Sequence, residues 1–140
     1  MTIQQTQTVR LVAIRTAHHT EEIPNYDRVV FEFNGPLPPV RIEYVNQLFG
    51  GGSGLPVPIA GRAILQVDFR PAQAHDDNGQ VTAPHHLNPK LPIVRELIAT
   101  DDFEAVLVYG IGLSRKVELR ILTLDSPNRL VIDFLQKTTY

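Results

Sequence analysis

Asp27-Arg28-Val29-Val30-Phe31-Glu32-Phe33 reads as a β-strand buried on one side. Val29, Phe31 and Phe33 fall on one face, Arg28 and Glu32 on the other, the period of a half-buried strand. About a hundred residues later, Asn128-Arg129-Leu130-Val131-Ile132-Asp133-Phe134 repeats this stretch class by class: a turn residue, Arg, three apolars, an acid and Phe. The match suggests that the two strands hold related places in two packed sheets. Each would bury its apolar set, with Phe31, Phe33, Ile132 and Phe134 among the core residues, against a shared interlayer.

Working outward, short β-type runs recur between turn-forming clusters. Residues 9–15 are rich in branched side chains, and 18–26 read as a loop. Residues 40–45 place Val40, Ile42 and Tyr44 opposite Arg41 and Glu43, and 63–70 alternate again. Residues 93–100 fit a helical face or a strand, and their β-branched content favours the strand. Runs at 104–110, 117–124 and 129–135 complete the set. Frequent turns and the absence of a long amphipathic stretch predict an all-β fold, an antiparallel β-sandwich or barrel of about eight strands. Residues 9–135 form the single expected domain, between a flexible polar lead at 1–8 and a tail at 136–140.

The chain has 140 residues, 43% apolar and 20% charged, a balance that supports one core. Cysteine is absent, which excludes disulfides, thiolate catalysis and thiolate metal sites. Thirteen Lys and Arg against fifteen Asp and Glu give a net charge of −2, which argues against nucleic acid as partner. No apolar run approaches the roughly 20 residues of a membrane-spanning helix. The Gln/Thr-rich start has no signal-peptide pattern, and it suits a linker following a removed segment as well as a cytoplasmic start.

Catalytic and metal patterns are hard to assemble. Five histidines invite a metal or general-base reading, but His18-His19 and His85-His86 are adjacent pairs that point to opposite faces when extended. A metal site, and with it a metal-dependent hydrolase, would need His75, His85 or His86 brought to Asp76 or Asp77 by folding. Asp76-Asp77-Asn78-Gly79 lacks the spacing of a calcium loop and reads as a tight turn. Gly50-Gly51-Gly52-Ser53-Gly54 has no following Lys-Ser/Thr and sits in no nucleophile elbow, so 46–61 reads as a mobile loop. The expected protein is not an enzyme and carries no cofactor. More informative is a flat polar sheet face carrying Arg28, Glu32, Arg129 and Asp133, with Tyr26, Tyr44 and Tyr109 at its margins. Arg and Asp can hydrogen-bond sugar hydroxyls or peptide groups, and Tyr adds an apolar face with a polar tip. The same residues also suit an ordinary solvated sheet with cross-strand ion pairs.

Several segments in order resemble a known family. Tyr26 to Phe33, then Gly35-Pro36 and Arg41-Ile42-Glu43-Tyr44-Val45, is similar to the opening of bacterial AMIN-like domains. Ala74-His75-Asp76, Phe103-Glu104 and Tyr109-Gly110-Ile111-Gly112-Leu113 follow in the same order. Ser126-Pro127-Asn128-Arg129-Leu130-Val131-Ile132-Asp133-Phe134 is similar to the ending of AMIN domains generally. The likeness covers about residues 9 to 135. It implies a two-sheet β-sandwich and a non-catalytic cell-envelope module, since AMIN domains accompany peptidoglycan amidases and pilus secretins and target them to the wall or septum. The implied partner is a wall glycan or an envelope protein, and the implied location is extracytoplasmic. Within these 140 residues no amidase or secretin part is expected beside the domain.

Overall fold

A computed structural model describes residues 7–137, so residues 1–6 of the expected 1–8 lead and 138–140 of the expected 136–140 tail lie outside the described residues. Eleven strands form: β1 (Leu11–His19), β2 (Tyr26–Phe33), β3 (Val40–Val45), β4 (Leu48–Phe49), β5 (Pro56–Val57), β6 (Ala63–Phe69), β7 (His86–Leu87), β8 (Val94–Phe103), β9 (Val106–Leu113), β10 (Leu119–Leu124) and β11 (Arg129–Leu135). Eight are six residues or longer, and three are two-residue ladders. One sheet runs β1-β2-β11-β10, the other β3-β6-β9-β8-β7, and β4-β5 is a separate hairpin. Every strand pair is antiparallel.

Alternation fixes what faces inward. Val29, Phe31 and Phe33 of β2, with Leu130, Ile132 and Phe134 of β11, meet Leu65, Val67 and Phe69 of β6 and Tyr109 and Ile111 of β9. Phe69 stands edge-on to Phe31 at 5.3 Å and to Phe33 at 5.0 Å, and Tyr109 tilts against Phe31 at 5.6 Å. These spacings suit the aromatic quadrupole, and the rings fill the interlayer.

The two matched heptads are not in different sheets. β2 and β11 are hydrogen-bonded neighbours, with Val30 opposite Val131, Arg28 opposite Asp133 and Glu32 opposite Arg129. An Arg-x-x-x-acid stretch paired antiparallel with its like is self-complementary, because each Arg lands on the other's acid. The Arg28–Asp133 half of that match forms at 2.7 Å, a contact unavailable across an interlayer of about 10 Å, and it favours one sheet.

Two further expectations are corrected. Residues 18 and 19 are strand rather than loop, because His18 pairs with Asp27 and His19 with Tyr26 in the β1–β2 register. Residues 46–61 are a docked hairpin rather than a mobile loop: Gly50 N–H donates to Leu55 O at 2.8 Å, and Gly51 N–H to Thr100 O of β8 at 3.0 Å. Gly110 and Gly112 make room for it on the outer side of β9. A Cβ at Gly110 would strike the fully buried Leu48 side chain, and one at Gly112 the Ala60 carbonyl.

Asp27 ties the layers together. It lies on the inward face of β2 with no exposure, and its Oδ2 accepts the N–H groups of Ile93 (2.7 Å) and Val94 (2.9 Å) where β8 begins. His18 Nδ1 lies 2.7 Å from the other oxygen.

Phe134→Ala removes a fully buried ring, and the expected loss is about 3–5 kcal/mol. Urea unfolding followed by circular dichroism measures it. A loss below about 1 kcal/mol would place that ring outside the core.

Candidate functional site

The outer face of the β1-β2-β11-β10 sheet carries a polar network. Asp133 has no exposure although it points away from the core. Arg28 covers it with a bidentate pair, Nε to Oδ1 at 2.7 Å and Nη2 to Oδ2 at 3.0 Å. Arg120 of β10 adds Nε to Oδ2 at 2.9 Å and reaches Glu22 through Nη1 at 3.2 Å. Both guanidinium groups lie over the ring of Tyr26, at 5.4 Å and 4.8 Å from its centroid. His19 stacks on the same ring at 4.8 Å, and the Tyr26 hydroxyl donates to Glu21 at 2.9 Å. Arg28 Nη1 and Arg120 Nη2 have no protein partner among the described residues.

Burial alone would push the Asp133 carboxyl up. The hydrogen bonds and charges of Arg28 and Arg120 outweigh it and hold the group below the usual carboxylate range. The same hydrogen bonds keep both arginines more firmly protonated. Tyr26 is shifted upward, first by burial and then by its bond to Glu21.

Of the residues read from sequence, Tyr26, Arg28 and Asp133 come together. Glu32 is on the same face but pairs with Arg15 at 2.8 Å. Arg129 sits opposite Glu32 in register, yet its guanidinium donates to the Pro127 and Asp125 carbonyls. The two remaining tyrosines are elsewhere. Tyr109 is a core residue with no exposure, its hydroxyl donating to Pro84 O at 2.7 Å; alternation on β9 turns it inward rather than toward any margin of this face. Tyr44 belongs to the other sheet, and its hydroxyl donates to Val117 O at 2.6 Å. Arg120 was missed in the sequence. Its signal was a lone Arg between Leu119 and Ile121, the outward position of an apolar strand.

The histidine pairs split as alternation requires. His85 Nε2 and His75 Nδ1 each lie 2.9 Å from Asp102 Oδ2, whereas His86 Nε2 bonds Glu96 at 2.6 Å. A register shift between Ala99 and Asp101 turns Asp102 to the inner side of β8, where it also accepts the Ala74 N–H at 3.0 Å. Asp76 accepts the N–H groups of Asn78 and Gln80, both at 2.9 Å, as a turn residue does. Among the described residues no group of three or more His, Asp or Glu side chains is arranged to hold a metal ion. No helix is long and apolar enough to cross a membrane.

The depressed Asp133 makes stability pH-dependent in a defined window. Its contribution is fully present above the unfolded carboxyl value, about 4, and is lost as pH falls through the lower folded value. Asp133→Asn is expected to cost roughly 1–3 kcal/mol at neutral pH and to flatten the stability profile below about pH 4. Thermal unfolding across pH checks both, and an unchanged slope in the variant contradicts the assignment.

No curated protein and no solved structure matches the chain. A family model for the AMIN-like domain matches residues 9–136, nearly its whole length. With that match and the two-sheet antiparallel architecture, the chain belongs to the AMIN-like domain family, whose members are read as modules of the cell envelope.

Proposed function

We propose that this protein is a non-catalytic, extracytoplasmic binding module that recognises peptidoglycan or another wall glycan across the outer face of its β1-β2-β11-β10 sheet. The observation that carries the reading is the Tyr26, Arg28, Arg120 and Asp133 network. It is a preorganised set of donors on the face that the 46–61 hairpin leaves uncovered, since that hairpin lies over the opposite sheet. The terminal nitrogens of Arg28 and Arg120 that have no protein partner among the described residues offer hydrogen bonds to sugar hydroxyls or peptide carbonyls. Glu32 and Arg129 extend the same face. Tyr26 acts beneath the guanidiniums as their platform and not as a stacking surface, because it is only 3% exposed.

A second reading, an assembly module within an envelope complex, is favoured by the edge strands. Val40 of β3 is 38% exposed, and Ile121 and Leu124 of β10 are 48% and 39% exposed, beside unpaired strand edges. Sedimentation velocity of wild type and Ile121→Lys tests it: self-association that the variant loses supports assembly.

For the glycan reading, isolated wall sacculi are sedimented with wild type and with an Arg28→Ala/Arg129→Ala variant. Wild type is expected to co-sediment with little salt dependence, and the variant to bind about tenfold more weakly, one to two weak hydrogen bonds' worth. Wild type left in the supernatant defeats the reading. Equal sedimentation of both proteins moves the binding surface away from these residues.

A further inference from the structure

We propose that a depression at the end of β3, away from the polar face, is a binding site for an oxyanion, a carboxylate or phosphate carried by a small ligand or a pendant polymer group. The cavity is about 580 Å³ and is lined by Tyr44, Asn46, Ile64, Arg62, Arg115 and Lys116. That volume is within the usual range of small-molecule sites. Its charged lining is all positive, on a chain whose net charge is −2.

The three cations come from two separate segments. Arg62 precedes β6, and its N–H donates to Leu113 O at 2.8 Å. Arg115 and Lys116 lie in the crossover from β9 to β10, which passes between the sheets. Tyr44 clamps that crossover: its hydroxyl donates to Val117 O at 2.6 Å and accepts the Val117 N–H at 3.2 Å. Lys116 Nζ sits over the Tyr44 ring at 4.9 Å, and Arg115 donates to Lys137 O at 3.1 Å.

None of the three is ion-paired with a carboxylate among the described residues. The nearby Glu118 is taken by Lys137. Elsewhere most arginines are matched, as Arg28 is by Asp133 and Arg70 by Asp68. Gathering like charges without a counter-charge is unfavourable unless an anion supplies it. Arg and Lys are donors only, so the complementary ligand is an acceptor-only group, and the Arg fork fits carboxylate and phosphate alike. The Tyr44 ring and Ile64 leave room for an organic body attached to it. The site is separate from the wall-glycan face and does not rest on that reading.

The test uses the full chain in two-dimensional amide NMR at constant ionic strength. Sodium phosphate and sodium citrate are the probes, and N-acetylglucosamine is the neutral control. Saturable shifts are expected at amides around Arg62 and Lys116 with at least one anion and none with the sugar. Arg62→Gln and Lys116→Gln should each weaken binding about tenfold, while Arg41→Gln, which removes an outlying cation, should leave it unchanged. Tighter phosphate assigns a phosphate-bearing ligand, and tighter citrate a carboxylate-bearing one. The spectra also report whether each variant is folded. Absence of saturation with both anions overturns the site, as do shifts mapping elsewhere or equal weakening by Arg41→Gln.

Discussion

Pairing β2 with β11 joins residues 105 apart in the chain at the Arg28–Asp133 contact. Closing a loop of that length costs roughly 4 kcal/mol of chain entropy, more than the net return of a buried ion pair after desolvation. The inward face supplies the excess. The same register that sets Arg28 on Asp133 sets Phe31 beside Leu130 and Val29 beside Ile132, all buried. A slip of one residue would put every one of these apolar side chains outside and every charge inside. The ion triad of Asp133, Arg28 and Arg120 therefore disfavours that slip. A buried ion group contributes little net energy over an apolar one, yet breaking it is costly, so only one alignment satisfies it.

The second sheet is held to the first in a different way. Its tie is Asp27, a carboxyl group on the core side that takes two backbone donors from the start of β8 and lies in hydrogen-bond contact with His18. Those N–H groups belong to the end of a strand, where the ladder cannot satisfy them. A carboxylate from the facing layer does so, and thereby fixes where β8 begins relative to β2.

This division explains how far the sequence could be read. Alternation in residues 27–33 and 129–134 gave the faces and the core phenylalanines correctly, because side-chain period is a local property. It gave no partners. Self-similarity of the two heptads was visible, but whether like strands stack or pair depends on the register of charges, which only the pairing shows. Asp27 looked like a turn residue, since nothing local distinguishes a strand-entry Asp from one whose carboxylate crosses the interlayer. Tyr109 was read as a margin residue, whereas its neighbours Gly110 and Gly112 were the clue: small outward residues on β9 accommodate a covering hairpin, leaving the tyrosine to face in. The cationic depression was out of reach altogether, because Arg62, Arg115 and Lys116 meet only through the Tyr44 clamp.

The two polar surfaces differ in how their charge is used, and the difference separates their chemistry. On the outer sheet face Arg15, Arg28 and Arg120 each have a carboxylate, so the surface offers directional hydrogen bonds with little net field, as the proposed glycan reading requires. At the end of β3 the cations have no carboxylate partner among the described residues, so attraction for an anion is longer in range and falls with salt. The crossover carrying Arg115 and Lys116 is also the segment that links the sheets, tied to β3 at Tyr44 and followed by β10, whose Arg120 belongs to the outer network. The chain thus runs directly from one surface to the other. A polymer bearing sugar and charged pendant groups would meet them on one frame, each contributing modest affinity, with the spacing between them set by the sandwich.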